Sequence, residues 1–201
     1  MSNFTILTVC TGNVCRSPLA EHLLEQELRG VPGVRVASAG VGALVGSPMT
    51  DSTRAIAARL IPNYERGHTA RQLAAEHVRG ADLLLAMARE HRRAIAELIP
   101  AASRRTFTLR EFARLADSVA PEELVDQAPL LTADAGDRMR DAVDLVASLR
   151  GSLPPLLDPA DDDVVDPYRQ SDEVYEQSAD QLVPAVRNVA DFLRRAATGG
   201  I

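Results

Sequence analysis

Short apolar runs and helical patterns alternate along the chain. The runs at residues 4–9, 34–38 and 82–87 predict β-strands, and a shorter strand is predicted near 105–109. The third run is apolar from Leu83 onward, which is typical of a strand buried on both faces. Strands that alternate with helices predict a parallel sheet covered by helices.

Apolar residues recur at helical spacing in six segments. The last segment begins near Ser171, whose side chain suits a helix N-cap, and its apolar stripe consists of Leu182, Val186, Val189 and Leu193. The other predicted helices cover about 19–28, 50–60, 69–76, 89–98 and 134–150.

The organisation is least clear at residues 113–157. This segment ends in two prolines and precedes an acidic run at 158–166. Neither an internal repeat nor a domain-scale linker is visible. A length of 201 residues therefore predicts one domain over 1–201, with 113–157 as an extra segment.

The composition narrows the class of protein. Hydrophobic residues make up 46% and charged residues 25%, which is enough apolar material for a core. The absence of a long apolar run or a basic N-terminal segment predicts a cytoplasmic protein with no membrane partner. The formal net charge is −6, and all 22 basic residues are arginine. This acidity argues against a nucleic-acid partner, whose usual binding surface is basic.

The residues between the first strand and the first helix carry the candidate chemistry. A loop with a glycine at a helix N-terminus turns backbone N–H groups toward one point, which makes an anion site. Cys10 at its start is a candidate nucleophile, because the same field favours a thiolate. Arg16 adds a planar donor suited to phosphate oxygens. Gly12 permits the tight backbone, and Pro18 suits a first helical turn.

The ten residues 9–18 read Val-Cys-Thr-Gly-Asn-Val-Cys-Arg-Ser-Pro. This string resembles the phosphate-binding loop of the low-molecular-weight protein tyrosine phosphatases at every fixed position of that family's pattern. Three other segments resemble the family, namely Ser-Ala-Gly at 38–40, His-Thr-Ala-Arg-Gln at 68–72 and Asp-Pro-Tyr at 166–168. The resemblance covers about 4–100 and 164–195. It implies a three-layer α/β/α sandwich around a central four-stranded parallel sheet, of the phosphotyrosine protein phosphatase I type.

The resemblance also implies roles for individual residues. Cys10 would be the nucleophile, Arg16 the clamp on the phosphoryl oxygens, and Asp166 the general acid and base. Ser17 would donate a hydrogen bond to the Cys10 thiolate, and Cys15 would form a protective disulfide with Cys10 under oxidation. Asn13, held by Ser38 and His68, would keep the loop in shape. The remaining expected phosphate-binding positions are Thr11, Gly12 and Val14, and the expected pocket walls are Leu44 and Tyr168.

Some positions leave alternatives open. Asp158 is also followed by proline, so it competes with Asp166 for the role of general acid. His22, His77 and His91 fall in helical patterns and are expected to be solvated. No metal or other cofactor is predicted, because Cys10, Cys15 and His22 are too few ligands for zinc and Arg16 would repel it.

Two departures from the family pattern concern the substrate. Leu44 stands where many members carry an aromatic residue beside the phosphotyrosine ring. Arg169 replaces a second aromatic residue and would favour an acidic substrate. These departures leave the phosphate chemistry intact and the natural substrate open.

Three functions remain in competition. The leading hypothesis is a phosphatase that acts on phosphate monoesters, with a phosphorylated protein or a small phosphate ester as partner. The second is an arsenate reductase that uses an external small thiol, since the chain has only two cysteines for an internal relay. The third is a phosphate-binding module without turnover. All three predict that phosphate, sulfate or arsenate binds the loop.

Overall fold

A computed structural model describes residues 2–65, 67–120, 124, 134–154 and 156–199. Its centre is a four-stranded sheet of β1 (Phe4–Cys10), β2 (Val34–Gly40), β3 (Leu83–Ala86) and β4 (Thr106–Thr108). The strands lie in the order β2-β1-β3-β4, and every neighbouring pair is parallel. The predicted parallel sheet is confirmed, with β4 shorter than expected because residue 109 already begins a helix.

Seven α-helices of the described chain surround the sheet. They are α1 (Arg16–Glu27), α2 (Asp51–Leu60), α3 (Ala75–Arg79), α4 (Arg89–Leu98), α5 (Leu109–Asp117), α6 (Ala135–Ser148) and α7 (Asp172–Thr198). Short 3₁₀ helices cover Pro100–Arg105 and Pro159–Asp162. None of the helices in this part of the chain combines the length and apolar character needed to cross a membrane.

The sheet has an apolar cluster on each face, which makes three layers. Along β1, Phe4 and Ile6 pack into the larger cluster with residues of α1, α2, α5, α6 and α7. Leu7 and Val9 face the other way, into a cluster that includes residues of α3, α4 and the first 3₁₀ helix. This alternation is the period of two that a strand imposes. The three-layer α/β/α sandwich is thereby confirmed.

Strand order determines where a ligand is expected. The chain passes from β1 to β2 on one side and then returns past β1 to β3 on the other. In such sheets ligands bind beyond the carboxyl ends of the strands, where the direction of winding reverses. The loop after Cys10 lies at this position.

The prediction of a helix at 69–76 is wrong in its position. Residues 69–74 are not helical, and α3 covers Ala75–Arg79. The backbone N–H of Ala70 donates to Ser47, that of Leu73 donates to Gly40, and Gln72 forms an isolated parallel bridge with Gly40. Pairing with the chain beyond β2 replaces the helical hydrogen bonds that the local pattern favours.

Helix α6, from the extra segment, lies at the opposite end of the sheet from the loop. Arg140 contacts Asp82 Oδ1 at 2.8 Å and also donates to the carbonyl of Asn3. Asp82 and Asn3 directly precede β3 and β1, so α6 packs at the amino ends of these strands. Its apolar face, which includes Met139 and Val146, is buried in the larger cluster. The described part of the segment therefore enlarges the core and does not cover the loop.

Candidate active site

The loop at residues 11–15 runs from the carboxyl end of β1 to the first residue of α1 and surrounds the Cys10 thiol. The Sγ atom of Cys10 lies 3.0 Å from Ser17 Oγ and 3.3 Å from the backbone nitrogen of Asn13, whose N–H donates to it. Cys10 is almost fully buried. Donors aimed at sulfur stabilise a thiolate over a thiol. The expected contact between Ser17 and Cys10 is present.

Asn13 holds the loop in a left-handed backbone conformation. Its φ angle is +54°, a region in which asparagine is tolerated better than most residues. Its buried side-chain amide donates to Ser38 Oγ at 2.8 Å and to Ser17 Oγ at 3.0 Å. Its Oδ1 accepts from the backbone N–H of Arg71 at 2.9 Å. The conformation is therefore fixed from both ends of the side chain.

A second row of residues supports Asn13 and Ser38. His68 Nε2 lies 2.7 Å from the Asn13 carbonyl oxygen. The hydroxyl of Ser38 donates to Glu21 Oε2 at 2.5 Å, and Arg71 Nε donates to the Ser38 carbonyl at 2.6 Å. Ser38 and His68 stand where the resemblance implied. Sequence reasoning gave no role to Glu21 or Arg71, although Arg71 belongs to the segment that carried the resemblance at 68–72.

Gly40 is required by the close approach of the loop to β2. A Cβ at this position would stand 2.4 Å from the Thr11 carbonyl oxygen and 3.0 Å from the Asn13 nitrogen. Any larger residue would force the loop away from the sheet, because both of these neighbours are backbone atoms. This gives a physical reason for the Ser-Ala-Gly string at the end of β2.

Arg16 and Asp166 meet at the same cavity as Cys10. Arg16 is 3% exposed, and its Nη2 lies 2.8 Å from Asp166 Oδ2. Its Nη1 donates to the Val164 carbonyl at 3.0 Å, while Nε has no hydrogen-bond partner within the described ranges. The backbone N–H of Val164 donates to Met87 at the end of β3. These two contacts of Val164, which is 148 positions from Arg16 in sequence, bring the neighbouring Asp166 next to Arg16.

Asp158, the rival to Asp166, has a different position. Its side chain accepts from the backbone N–H of Ala160 at 2.8 Å and caps the 3₁₀ helix Pro159–Asp162. It does not line the cavity around Cys10, whereas Asp166 does. The assignment of the general acid to Asp166 stays a prediction, and this geometry supports it.

The cavity has a volume of about 120 Å³. This is smaller than the roughly 300–1,000 Å³ typical of pockets for drug-sized ligands, so it suits a phosphoryl group and the atoms next to it. Leu44 and Tyr168, the expected walls, both line it, and Leu44 is 39% exposed. The Arg169 guanidinium carbon lies 5.1 Å from the centre of the Tyr168 ring. The lining residues are Cys10, Thr11, Gly12, Val14, Cys15, Arg16, Gly42, Leu44, Asp166 and Tyr168.

Cys15 is a free, buried thiol in the loop. Its Sγ lies 3.5 Å from Thr50 Oγ1 and 3.9 Å from the Tyr175 hydroxyl. Burial raises the pKa of the Cys15 thiol above its ordinary value. Cys15 is therefore protonated at neutral pH.

The prediction of solvated histidines is wrong for two of the three. His22 is buried and its Nδ1 lies 2.7 Å from the Tyr64 hydroxyl. His91 is 1% exposed and its Nε2 lies 2.9 Å from Thr11 Oγ1. His77 is intermediate in exposure. Both buried rings lie where a helix docks against another part of the chain, which a local helical pattern does not reveal.

The residues around Asn13 include one group of potential metal ligands. One atom each from Glu21, His22 and His68 lies within 4.8 Å of the others. Each of the three also has a protein partner, respectively Ser38, Tyr64 and Asn13. Structural zinc sites have four ligands, so this group is short of one. The absence of a metal cofactor stays a prediction.

Replacement of Asn13 by alanine is expected to destabilise the fold by about 2–4 kcal/mol, because the buried hydroxyls of Ser17 and Ser38 and the backbone N–H of Arg71 each lose a hydrogen bond and the left-handed backbone becomes less favourable. Urea unfolding measures the change. Asn13→Gly is the matched control, since glycine accepts a positive φ without cost and removes only the side-chain contacts. Equal stability of Asn13→Ala and the original chain would contradict the role of these hydrogen bonds.

Comparisons with known proteins agree with the geometry. The family model described as "Low molecular weight phosphotyrosine protein phosphatase" matches residues 5–124, more than half of the 201-residue chain. The low molecular weight protein-tyrosine-phosphatase Etp of Escherichia coli K12 is 46% identical over 96 residues, which cover 48% of this chain and 62% of that protein. A protein-arginine-phosphatase of Geobacillus stearothermophilus is 42% identical over 109 residues, which cover 54% and 71%. The chain thus spans less than two thirds of the length of Etp.

Solved structures are similar over nearly the whole chain. The YwlE arginine phosphatase from Geobacillus stearothermophilus has a TM-score of 0.66 and 29% identity, covering 95% of this chain and 93% of its own. The tyrosine phosphatase Wzb from Escherichia coli K30, in complex with sulphate, has a TM-score of 0.63 and 26% identity, covering 93% and 96%.

Proposed function

The chain belongs to the low molecular weight phosphotyrosine protein phosphatase family, and on that premise we propose that it is a cysteine-dependent phosphatase that hydrolyses phosphate monoesters, with protein phosphotyrosine as its substrate. One observation carries the proposal. A buried thiol that accepts a backbone N–H, a buried arginine and a carboxylate line one small cavity at the carboxyl end of β1. These are a nucleophile, an oxyanion clamp and a proton donor, the three groups that displacement at phosphorus needs.

In the first step the Cys10 thiolate attacks the phosphorus atom of the ester. The S–P bond forms as the bond to the leaving oxygen breaks, and the carboxyl group of Asp166 gives its proton to that oxygen. The Arg16 guanidinium and the loop N–H groups stabilise the charge on the phosphoryl oxygens. The Arg16 Nε and Nη groups supply more than one donor in a plane, which suits two oxygens at once.

In the second step a water molecule attacks the phosphocysteine. Asp166, now a carboxylate, takes a proton from this water as the O–P bond forms. The S–P bond breaks, inorganic phosphate leaves and Cys10 returns to the thiolate. The hydrogen bonds from Asn13 N–H and Ser17 stabilise the departing sulfur as they stabilise the free thiolate.

The walls of the cavity support an aromatic ester as substrate. Tyr168 and Leu44, together with the loop residue Val14, line the cavity with apolar surface. A single aromatic wall holds a phenyl ring less firmly than two, and Arg169 beside Tyr168 adds a positive charge at the rim. Phosphotyrosine flanked by acidic residues is therefore the proposed substrate, and inorganic phosphate, sulfate and arsenate are proposed ligands of the loop.

Hydrolysis of p-nitrophenyl phosphate between pH 5 and 8 tests the proposal, with Cys10→Ser as the control. Release of phosphate that depends on Cys10 supports it. Arsenate reduction with an external thiol is measured in parallel. Turnover of arsenate without phosphate release would favour the reductase, and phosphate binding without either reaction would favour the binding module.

A second candidate substrate is phosphoarginine, because one relative and two structural neighbours are named arginine phosphatases. A phosphorylated guanidinium group carries N–H donors and needs acceptors around it. Among the described residues that line the cavity, Asp166 is the one carboxylate, and the side chains of Val14 and Leu44 have no hydrogen-bond acceptor. This lining favours phosphotyrosine, and a comparison of kcat/KM on peptides with the two modifications decides between them.

Inactivation by peroxide is expected to be reversible in the original chain and irreversible in Cys15→Ala. Peroxide converts the Cys10 thiolate to a sulfenic acid, and the Cys15 thiol then attacks that sulfur, so that a disulfide forms and water leaves. In Cys15→Ala a second peroxide molecule oxidises the sulfenic acid to a sulfinic acid, which dithiothreitol does not reduce. Because the pKa of Cys15 is raised, its thiolate fraction and the rate of this closure increase as pH rises. The measurement is activity after peroxide and then dithiothreitol, relative to each untreated protein. Equal recovery of the two proteins would remove the protective role of Cys15.

A further inference from the structure

Beneath the loop, the buried imidazole of His91 contacts a residue of the cavity wall. His91 lies in the first turn of α4, directly after β3, and its Nε2 is 2.9 Å from the hydroxyl oxygen of Thr11. Thr11 lines the cavity next to Cys10. The mechanism above uses neither residue's side chain.

The surroundings of His91 determine which nitrogen carries its proton. Burial lowers the pKa of His91 to about 4, and the positive charge of Arg16 acts in the same direction, so the ring is neutral and has a single N–H. Its Nδ1 is buried and has no hydrogen-bond partner in the part of the chain that the structure describes. A buried N–H without an acceptor costs about 1–3 kcal/mol, and orphaned N–H groups are rarer than orphaned acceptors.

These costs favour the tautomer with its proton on Nε2, and a second observation agrees with it. A carboxylate oxygen of Glu90, which can only accept, lies 3.4 Å from Nε2. Both observations favour a proton on Nε2, with Nε2–H as the donor to the Thr11 Oγ1 atom 2.9 Å away. Since the Thr11 oxygen accepts from His91, the hydroxyl hydrogen of Thr11 remains free to donate into the cavity.

The orientation of Thr11 indicates which side of the cavity its hydroxyl group faces. The backbone N–H of Arg89, at the start of α4, donates to Asp163 Oδ1 at 2.8 Å, so the ring lies on the side of the cavity where the chain leads into Asp166. The Thr11 methyl group lies on the Gly42 side, 4.0 Å from the place of a Gly42 Cβ. The hydroxyl is thus directed toward the side from which Asp166 protonates the leaving oxygen.

We propose that His91 is a positioning residue that fixes the Thr11 hydroxyl as a hydrogen-bond donor to the bridging, leaving-group oxygen of a bound phosphate ester. This inference rests on the proposed phosphatase function. It names a preference within that function, for substrates whose phosphoryl group is bonded to oxygen. Phosphoarginine offers nitrogen and N–H groups at that position and gains nothing from the donor.

Thr11→Val and His91→Leu test the proposal on a phosphotyrosine peptide and a phosphoarginine peptide. Each variant is expected to lower kcat/KM for phosphotyrosine by about 2–10-fold, the value of one neutral hydrogen bond, and to leave phosphoarginine unchanged. The ratio of kcat/KM for phosphotyrosine to kcat/KM for phosphoarginine should therefore fall by the same factor. His77→Leu is the control, because His77 lies on α3 outside the cavity and should leave the ratio as it was.

Two further variants separate positioning from general support of the fold. His91→Gln keeps an N–H donor near the place of Nε2 and should recover most of the loss. The double variant of Thr11→Val with His91→Leu should be no worse than Thr11→Val alone, since His91 acts through Thr11. Additive losses, or an equal fall on both substrates, would overturn the proposal.

A binding measurement keeps this test independent of turnover. In the Cys10→Ser background, Thr11→Val should weaken the affinity for the phosphotyrosine peptide by about 2–10-fold in calorimetry. An unchanged affinity together with an unchanged kcat/KM would overturn the role of Thr11. If Thr11→Val weakens binding in this way but the protein with Cys10 intact does not hydrolyse the peptide, the phosphatase function is contradicted and the positioning role is still supported.

Discussion

Cys10→Ser is expected to lower kcat on p-nitrophenyl phosphate by about 10⁴–10⁶-fold, the scale of losing a covalent nucleophile. A serine hydroxyl keeps its proton at neutral pH, and the donors around this position stabilise an anion that serine does not form. The Asn13 N–H and the Ser17 hydroxyl, at 3.3 and 3.0 Å from Sγ, then face a neutral oxygen. Steady-state release of p-nitrophenol measures the loss.

The phosphate cradle of Cys10→Ser should remain intact, because Arg16 and Asn13 keep their own partners. Inorganic phosphate at about 100 times its Kd should therefore raise the free energy of unfolding of this variant by about 2.7 kcal/mol. Thermal unfolding with and without phosphate tests this. Cys15→Ser, in the same loop, should lose far less activity than Cys10→Ser. Comparable losses in the two variants would show that the loop had collapsed and that Cys10 is not the specific nucleophile.

The sequence alone was sufficient to predict those site residues that lie close together along the chain. A strand, a loop with glycine and a helix start are contiguous, so the positions of Cys10 and Arg16 follow from the order of residues. The pairing of β1 with β2 also follows from alternating elements, and it puts Gly40 opposite Cys10. Ser38 lies two residues before Gly40 on the same face of β2, so its hydroxyl reaches the Asn13 side chain.

The residues that sequence reasoning missed are those that long-range docking brings to the loop. His91 stands among Arg89, Glu90, Arg92 and Arg93, and a helix so rich in charge predicts a solvated surface. The first turn of α4 nevertheless packs under Thr11, which buries this one polar position. The role of Arg71 could not be predicted for a related reason. Its segment has a helical pattern, but pairing beyond β2 extends it and aims its N–H at Asn13.

The position of Asp166 could be inferred from sequence only through the family resemblance. Nothing in the acidic run at 158–166 distinguishes one aspartate from another by composition. The distinction arises from two backbone contacts of Val164, which accepts from Arg16 and donates to Met87. They anchor the chain two residues before Asp166 at the end of β3, while Asp158 is left to cap a 3₁₀ helix.

Asp166→Asn is expected to lower kcat on a phosphotyrosine peptide by about 10²–10⁴-fold, the usual contribution of a general acid and base. Asparagine keeps an oxygen that can accept from the Tyr168 N–H, as Asp166 Oδ1 does at 3.2 Å, so the turn is preserved while the proton donor is lost. Asp158→Asn is the matched control, because an asparagine side chain caps a helix as well as an aspartate does.

The identity of the leaving group sharpens this test. Nitrophenolate leaves without much help from an acid, so Asp166→Asn should slow the first step less on p-nitrophenyl phosphate than on phosphotyrosine. The second step needs Asp166 as the base for water on either substrate. The variant should therefore release one equivalent of p-nitrophenol in a burst and then turn over slowly, with phosphocysteine accumulating on Cys10. A large loss in Asp158→Asn with none in Asp166→Asn would reverse the assignment, and a loss in Asp166→Asn without a burst would confine Asp166 to the first step.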